Sequence, residues 1–419
     1  MIGTITAAAT LLQASNGLFT ALLPLRMQAE GFSVLGIGIV AAVYGLGFAS
    51  GCFVAPVFVR HVGHIRAYAS LAAVASVVGL AFTQAESVAA WAILRGLIGF
   101  TLAGLFTVID GWISARTTAS HRGRILSFYM VCTKLALMVS PLGVTFGSIQ
   151  ADGLFMVVSA IMCLSLLPVC ATLTEEPPAP RTVRVEFRGL FGTAPSAVIG
   201  AFSVGLMNGP VIAIAPVYGV NIGLSADQAA GLLFALQGGS LLLQWPLGWL
   251  SDHSDRRWVI AGLAAGTSAV SALIVMAGAA TPGLVLAAFA LWGGLALCIY
   301  SVCIAHACDL VEPDRIVPTI STLLASWAIG VTIGPLPGAL AMQAMGPGGL
   351  FVYSAVTALA LAVFVILRIA RQRRAVPRGG FVDLSPTSTA AAGMSPRAEG
   401  PAPATDIEAA EAAAQKSPA

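Results

Sequence analysis

The chain has 419 residues, of which 58% are hydrophobic and only 9% charged, with a formal net charge of +3 and a mean hydropathy of +0.90. A soluble domain carries about 25% charged residues, so water is not the main solvent of this protein. Its small positive excess is sorted into short loops and gives no surface suited to nucleic acid.

Apolar windows of the roughly 20 residues that a spanning helix needs recur from end to end. They fall at 4–27, 34–59, 67–85, 88–115, 124–148, 153–173, 192–221, 227–251, 257–279, 283–309, 315–343 and 347–371. These runs are long, uninterrupted and rich in Ala, Leu and Gly, whereas a spanning barrel reads as alternating segments of about ten residues. The expected fold class is therefore an all-α polytopic membrane protein with twelve transmembrane helices. The first window starts next to Met1 without a basic leader and is read as a retained span rather than a cleaved signal.

Cytoplasmic loops retain positive charge, and the loop arginines are lopsided. Arg60, Arg66, Arg116, Arg122, Arg124, Arg181, Arg184, Arg188, Arg256, Arg257, Arg315, Arg368, Arg371, Arg373, Arg374 and Arg378 fall on one side, and only Arg26 on the other. Both termini are thus expected in the cytoplasm, with the basic loops meeting anionic lipid. All seven cysteines lie in spans and none forms a CxxC pair, which points to helix packing. His306, Cys308 and Asp309 are too close in sequence, at one helix end, to close a metal ligand set.

The polar stretch 174–191, TEEPPAPRTVRVEFRGLF, divides the spans into two blocks of six. The expected organisation is an N-terminal bundle at 1–173, a cytoplasmic interdomain loop at 174–191 and a C-terminal bundle at 192–371. A disordered cytoplasmic tail is expected at 372–419, which is rich in Ala, Pro and Ser. Features recur across the midpoint at a near-constant offset: Gly63 with Asp255, and Pro141 with Pro335. Two related, pseudo-symmetric six-helix halves follow.

The sharpest local pattern is PLGWLSDHSDRR at 246–257, which places Gly248, Asp252 and Arg256 at steps of four. Helical spacing puts Gly248 and Asp252 on one face, where Gly permits close approach and Asp can pair with Arg256. The pattern resembles the loop motif that the major facilitator superfamily carries after its second and eighth spans. That resemblance implies a gating role: Gly248 packing, Asp252 pairing, and Arg256 or Arg257 as its cation. The first-half copy, APVFVRHVGHIRAYA, holds Arg60, Gly63 and Arg66 but has Val59 or Arg60 where the family has Asp. Arg66 is instead expected to pair with Asp110, either as a gate or as a plain structural ion pair. LRGLIGF and SHRGRILSFYM also match the superfamily. Together with LQWPLGWLSD and IYSVCIAHACDLVE they look most like its YcaD-like branch. The span-five antiporter signature is reduced to VSPLG, while span eleven has GVTIGPLPG.

A charge at the bilayer centre costs roughly 3 kcal/mol or more, so the three charges well inside spans are informative: Arg95, Asp110 and Lys134. Lys134 lies about 15 Å into span five at 1.5 Å per residue. It is expected to face a cavity, the alternative being a stem that snorkels or pairs with a neighbouring helix. Arg95 and Asp110 are about 22 Å apart on span four and cannot pair directly. The resemblance implies a role for Arg95 in proton coupling or substrate handling. With no acid near the midplane, the cavity would be net positive and suited to an anionic or strongly polar solute. Asn16, Asn208, Gln237 and Tyr300, with Gln13 and Gln244, are candidate hydrogen-bond partners there, or interhelical glue. Asp110 and His306 are the proton-coupling candidates, with a simply packed histidine as the alternative for His306.

Gly330, Gly334 and Gly338 on span eleven and Gly143 with Gly147 on span five are expected to allow close, sliding contacts. Pro141 and Pro335 remove helix hydrogen bonds and permit bending. No GxxxxGK[ST] loop, HExxH or GxSxG occurs, so neither a nucleotide cofactor nor an enzyme is expected. The implied function is secondary active transport of a small organic solute, an anionic or polar metabolite or else a drug exported from the cell, by alternating access, coupled to protons, in the cell inner membrane, by a monomer. A facilitative uniporter and a non-transporting receptor or scaffold of the same fold are the alternatives.

Overall fold

The computed structural model describes residues 2–116, 122–171, 185–278, 281–371 and Thr387. Eleven helices among the described residues are long and apolar enough to cross a membrane. In chain order they are span one (Ile2–Ala29), span two (Val34–Val62), span three (His64–Gln84), span four (Val88–Ala115), span five (Arg124–Phe146) and span six (Gly153–Cys170). Span seven (Pro195–Asn221), span nine (Arg256–Ala277), span ten (Pro282–Cys308), span eleven (Pro313–Met345) and span twelve (Gly349–Arg371) follow. Span eight, Ala226–His253, has the length at 28 residues. Asp227, Gln228, Gln237, Gln244 and Asp252 dilute its apolar character, which is why it falls short of the others by hydropathy.

Span boundaries have identifiable chemical causes. Ser33 caps span two by accepting from the Gly36 N–H. Ser225 and Gln228 form a reciprocal capping box at the start of span eight. Between spans two and three the chain turns at Gly63, whose φ of 87° lies in the region that side chains with a Cβ avoid. Regular helix is interrupted inside four spans. Span five passes into a 3-10 turn at Ser140–Phe146, next to Pro141. Span six breaks at Ser165, span ten at Leu297, and span eleven at Gly334, next to Pro335. Both proline positions expected to bend are therefore at interruptions, because proline lacks the N–H that continues the ladder.

Each half is locked by an aromatic cluster at equivalent places. In the first, Phe19, Phe82, Trp91 and Phe155 of spans one, three, four and six meet edge to face or stacked, with centroids 5.1–6.2 Å apart. In the second, Tyr218, Phe289, Trp292 and Phe351 of spans seven, ten and twelve meet with centroids 5.1–6.3 Å apart, edge to face except for the tilted Tyr218–Phe289 pair. Interhelical hydrogen bonds add to the packing: Ser15 Oγ to the Val158 carbonyl at 2.8 Å, Ser326 Oγ to the Val198 carbonyl at 2.9 Å, and Trp292 Nε1 to Ser271 Oγ at 2.9 Å. Such bonds are worth about 0.6 kcal/mol each in a membrane.

The outer surface is apolar. Leu46, Val77, Ile93, Leu242, Met276 and Val363 point outward, which suits lipid and would be a liability in water. Trp245, Trp249 and Trp258 are exposed near the end that carries Arg256 and Arg257, the place of an interfacial aromatic belt. That end, with Arg60, Arg66 and Arg315, is called the basic end below.

Candidate functional site

The two halves touch along spans one, two and five on one side and seven, eight and eleven on the other. Toward the end opposite the basic one, span two lies directly on span eleven. A methyl group at Gly38 would stand 2.6 Å from the Ala339 side chain, and one at Gly45 would stand 2.8 Å from the Thr332 backbone. Only glycine permits this approach. On the same end, Gln28 Nε2 donates to Asn221 Oδ1 at 2.6 Å, joining spans one and seven. Gly330 and Gly334 of span eleven serve a different neighbour, the backbone of Phe202 and Leu206 on span seven.

Behind this seam lies a cavity of about 280 Å³, lined by spans one, two, four, five, seven, eight, ten and eleven. It extends toward the basic end through Phe106, Tyr129 and Thr387. Asn16, Arg95, Lys134, Asn208, Gln237 and Tyr300 all line it, as does Gln13. Three of the four interruptions described above border it: Pro141, Leu297 and Pro335 are part of its wall. Among the described lining residues Arg95 and Lys134 carry charge, and no carboxylate is present.

Arg95 is 7% exposed. Its Cζ lies 4.2 Å from the Tyr44 ring centroid and 4.8 Å from that of Phe19, so spans one and two hold the guanidinium by ring faces. Its Nη1 is buried without a hydrogen-bond partner. Lys134 reaches across the seam between halves, its Nζ donating to Gln244 Oε1 of span eight at 2.5 Å; Gln244 itself is outside the lining. Asn208 Oδ1 and Asn16 Oδ1 are also buried without a partner, while Asn16 Nδ2 donates to Gln13 Oε1 at 3.4 Å. Phe48, Tyr300 and Trp327 form an aromatic wall, Trp327 lying 6.0 Å from Phe48 and 6.3 Å from Tyr300.

Asp110 is fully buried on span four. Tyr129 Oη donates to its Oδ1 and Thr387 Oγ1 to its Oδ2, each at 2.8 Å. Both donors line the cavity, so Asp110 sits one hydrogen bond behind its wall. The expected pair between Arg66 and Asp110 is not formed: Arg66 is exposed at the turn after span two, while Asp110 is sealed among span four's neighbours. The expectation of a disordered tail falls outside the described residues except at Thr387, which is buried and engaged with Asp110. Most of the interdomain loop also lies outside them, Phe187–Thr193 being helical.

At the basic end, Arg256 is buried and donates to Asp309 Oδ2 at 2.6 Å, Ser251 Oγ at 2.8 Å and Asp252 Oδ1 at 3.1 Å. Gly248 is buried on span eight, the helix of Ser251 and Asp252. Asp252 therefore takes Arg256 as its cation, whereas Arg257 pairs with Asp255 at 2.7 Å. Asp309, at the end of span ten, is the partner that sequence spacing could not reveal. His306 packs into this cluster, with Arg257, Asp255, Asp309 and Arg256 as its charged neighbours, and is not part of the cavity lining. Arg60 is exposed, and Gly63 supplies the turn rather than a pairing group. The charge network is thus built in the second half and, among the described residues, has no counterpart of the same kind in the first. Asp255 lies outside the spans, and burial alone would raise its carboxyl pKa. Hydrogen bonds from the Arg257 side chain and backbone outweigh that and hold it below its ordinary value.

This architecture agrees with what the chain resembles. A sequence model described as Major Facilitator Superfamily matches residues 5–237 and 197–392. The chain belongs to that superfamily, and it is a multi-pass membrane transport protein rather than an enzyme. Among curated relatives, an uncharacterized MFS-type transporter YcaD of Escherichia fergusonii is 24% identical over 368 residues, covering 86% of this chain and 94% of that protein. Its counterpart in Salmonella enteritidis PT4 is 24% identical over 349 residues, covering 82% and 89%. Among solved structures, the nucleoside transporter NupG superposes with a TM-score of 0.75 at 13% identity, covering 87% of this chain and 98% of that one. A D-xylose–proton symporter gives 0.65 at 15% identity, covering 87% and 97%. A bacterial homolog of the lysosomal transporter Spinster, inward-facing and occupied, gives 0.68 at 18% identity, covering 88% and 96%.

Proposed function

We propose that the protein is a secondary active transporter that carries a small polar or anionic organic solute through the central cavity by alternating access, coupled to protons. The observation that carries this reading is the cavity's position: it lies between two pseudo-symmetric halves, with the buried Arg95 guanidinium and the amide oxygens of Asn16 and Asn208 left unpartnered in its wall. A packed core would not leave those groups unsatisfied, because each buried polar atom without a partner costs about 1–3 kcal/mol. In this reading the basic end faces the cytoplasm of a bacterial inner membrane, which the sorting of loop arginines supports. The seam of span two on span eleven then closes the outer side, and this conformation is inward-facing.

Rocking of one half against the other would open that seam and close the basic end. Asp110 is the group best placed to exchange protons with the cavity, through Tyr129. His306, enclosed with Arg256 and Arg257, is better placed to hold the basic-end network. Reconstitution into liposomes tests the reading. Solute is expected to accumulate against its gradient when a pH gradient is imposed, and Asp110→Asn should abolish accumulation while retaining solute exchange without a gradient. Equal accumulation by wild type and the variant would contradict the assignment of Asp110.

A further inference from the structure

We infer that the transported solute is a carboxylate with an apolar, ring-bearing body, and that Arg95 is its anchor. This rests on the reading of the cavity as the transport site. It concerns which solute that site takes.

The first reason is the state of the Arg95 guanidinium. Tyr44 and Phe19 fix its plane by their ring faces, yet no described side chain or carbonyl accepts a hydrogen bond from it, and Nη1 is both buried and unpartnered. A guanidinium is a planar fork of donors that matches a carboxylate with two parallel N–H···O bonds. Ring faces satisfy part of its charge but none of its donors. Leaving such a group buried is costly unless a ligand completes it. Lys134, by contrast, is engaged by Gln244 across the seam. Its position ties the two halves together rather than leaving it to await a solute.

The second reason is the absence of any carboxylate among the described lining residues. The charge of the described lining is therefore positive, and a cationic solute at Arg95 would meet repulsion with no acid in that lining to offset it. The third is the rest of the wall. Phe48, Tyr300 and Trp327 contribute aromatic surface to it, and Val40 and Val331 aliphatic surface. Hydroxyls of a sugar laid against these rings would lack partners there, although Asn16, Asn208 and Gln237 elsewhere in the wall could meet a few of them. An aromatic or alicyclic body brings no such hydroxyls. Asn208, 2% exposed with Oδ1 unpartnered, can accept from one ring hydroxyl or amino group, so a singly substituted ring also fits.

Equilibrium binding to the purified full-length protein in detergent, with benzoate as the probe and benzamide, benzylamine, succinate and inorganic phosphate as competitors, tests this assignment. Benzoate is expected to bind saturably, with benzamide and benzylamine weaker by about tenfold or more. Arg95→Gln should lose at least about tenfold in benzoate affinity, and Arg95→Lys should fall between, since an ammonium keeps the charge without the fork. Melting curves establish that each variant is folded, and Tyr44→Leu, which leaves the charge in place, provides a second variant. No benzoate binding, benzamide competing as well as benzoate, tighter binding of succinate or phosphate, or unchanged benzoate affinity in folded Arg95→Gln would each overturn the inference. Its failure is separable from that of the transport reading. A neutral solute driven across liposomes would leave transport standing and remove the carboxylate, whereas benzoate binding without flux of any solute would do the reverse.

Discussion

The Arg95 guanidinium carbon lies 4.2 Å from the centroid of the Tyr44 ring, so a charge from span four is held in the cavity by an aromatic face from span two. The contact joins two helices that pack closely within the first half, and it fixes the direction in which the cation can act. A cation over a ring gains about 0.5 kcal/mol when exposed and 2 kcal/mol or more when desolvated. Tyr44→Leu is accordingly expected to weaken benzoate binding by about 2- to 30-fold without unfolding the protein, as read by equilibrium binding and a melting curve. Tyr44→Phe keeps the ring and is expected to retain wild-type affinity.

The seam that closes the end opposite the basic one depends on the absence of side chains at Gly38 and Gly45. Gly45→Val would place a branched side chain against the Thr332 backbone and push span eleven away. The expected consequence is access from that side. In sealed right-side-out vesicles, Ala41→Cys, which lines the cavity, should react with an impermeant maleimide several-fold faster in the Gly45→Val background than with Gly45 intact.

The Arg256–Asp309 pair, with both side chains 2% exposed, is expected to matter for stability chiefly when half of it is removed. Breaking a buried pair leaves one charge uncompensated and costs about 3–5 kcal/mol, while replacing both partners by apolar groups is often neutral. Arg256→Met alone and Asp309→Leu alone should each lower the melting temperature in detergent. The double variant should recover most of that loss, a sign of coupling that independent sites would not give.

Asp255 caps span nine and is held below its ordinary pKa of 3.8 by Arg257. A carboxyl depressed in the folded state contributes stability that is complete above its unfolded pKa and is lost as pH falls through the folded one. Wild type should therefore be more stable than Asp255→Asn at pH 5. The difference should shrink as pH falls below 3.8, and melting temperatures of the two proteins along that range measure it.

Much of this site was legible because polarity inside an apolar window has few explanations. Asn16, Arg95, Lys134, Asn208, Gln237 and Tyr300 stand out in the sequence for that reason, and all six line one cavity. The groups that give the cavity its character were not legible. Tyr44 and Phe19 sit in apolar runs where aromatics ordinarily mean core, and their role depends on which face meets Arg95. Asp309 lies 53 residues from Arg256, a pairing that only the packing of spans nine and ten brings about. Thr387 belongs to a stretch without apolar periodicity, so nothing local ties it to Asp110. The missing acid of the first-half motif also made Arg66 the expected partner of Asp110, but Arg66, just past the turn at Gly63, is exposed.

The most direct test of the account is gradient-driven flux with the seam locked and unlocked. Gln28→Cys and Asn221→Cys, introduced together, place two thiols where spans one and seven meet beside that seam, within reach of a short bifunctional methanethiosulfonate, and proteoliposomes carrying this variant can be incubated with a bacterial metabolite extract under a pH gradient. The account predicts that at least one small organic acid redistributes when the thiols are reduced, and that its flux stops on cross-linking and returns on reduction. If no solute moves, or if the same solutes move with the seam cross-linked, the cavity is not an alternating-access pathway.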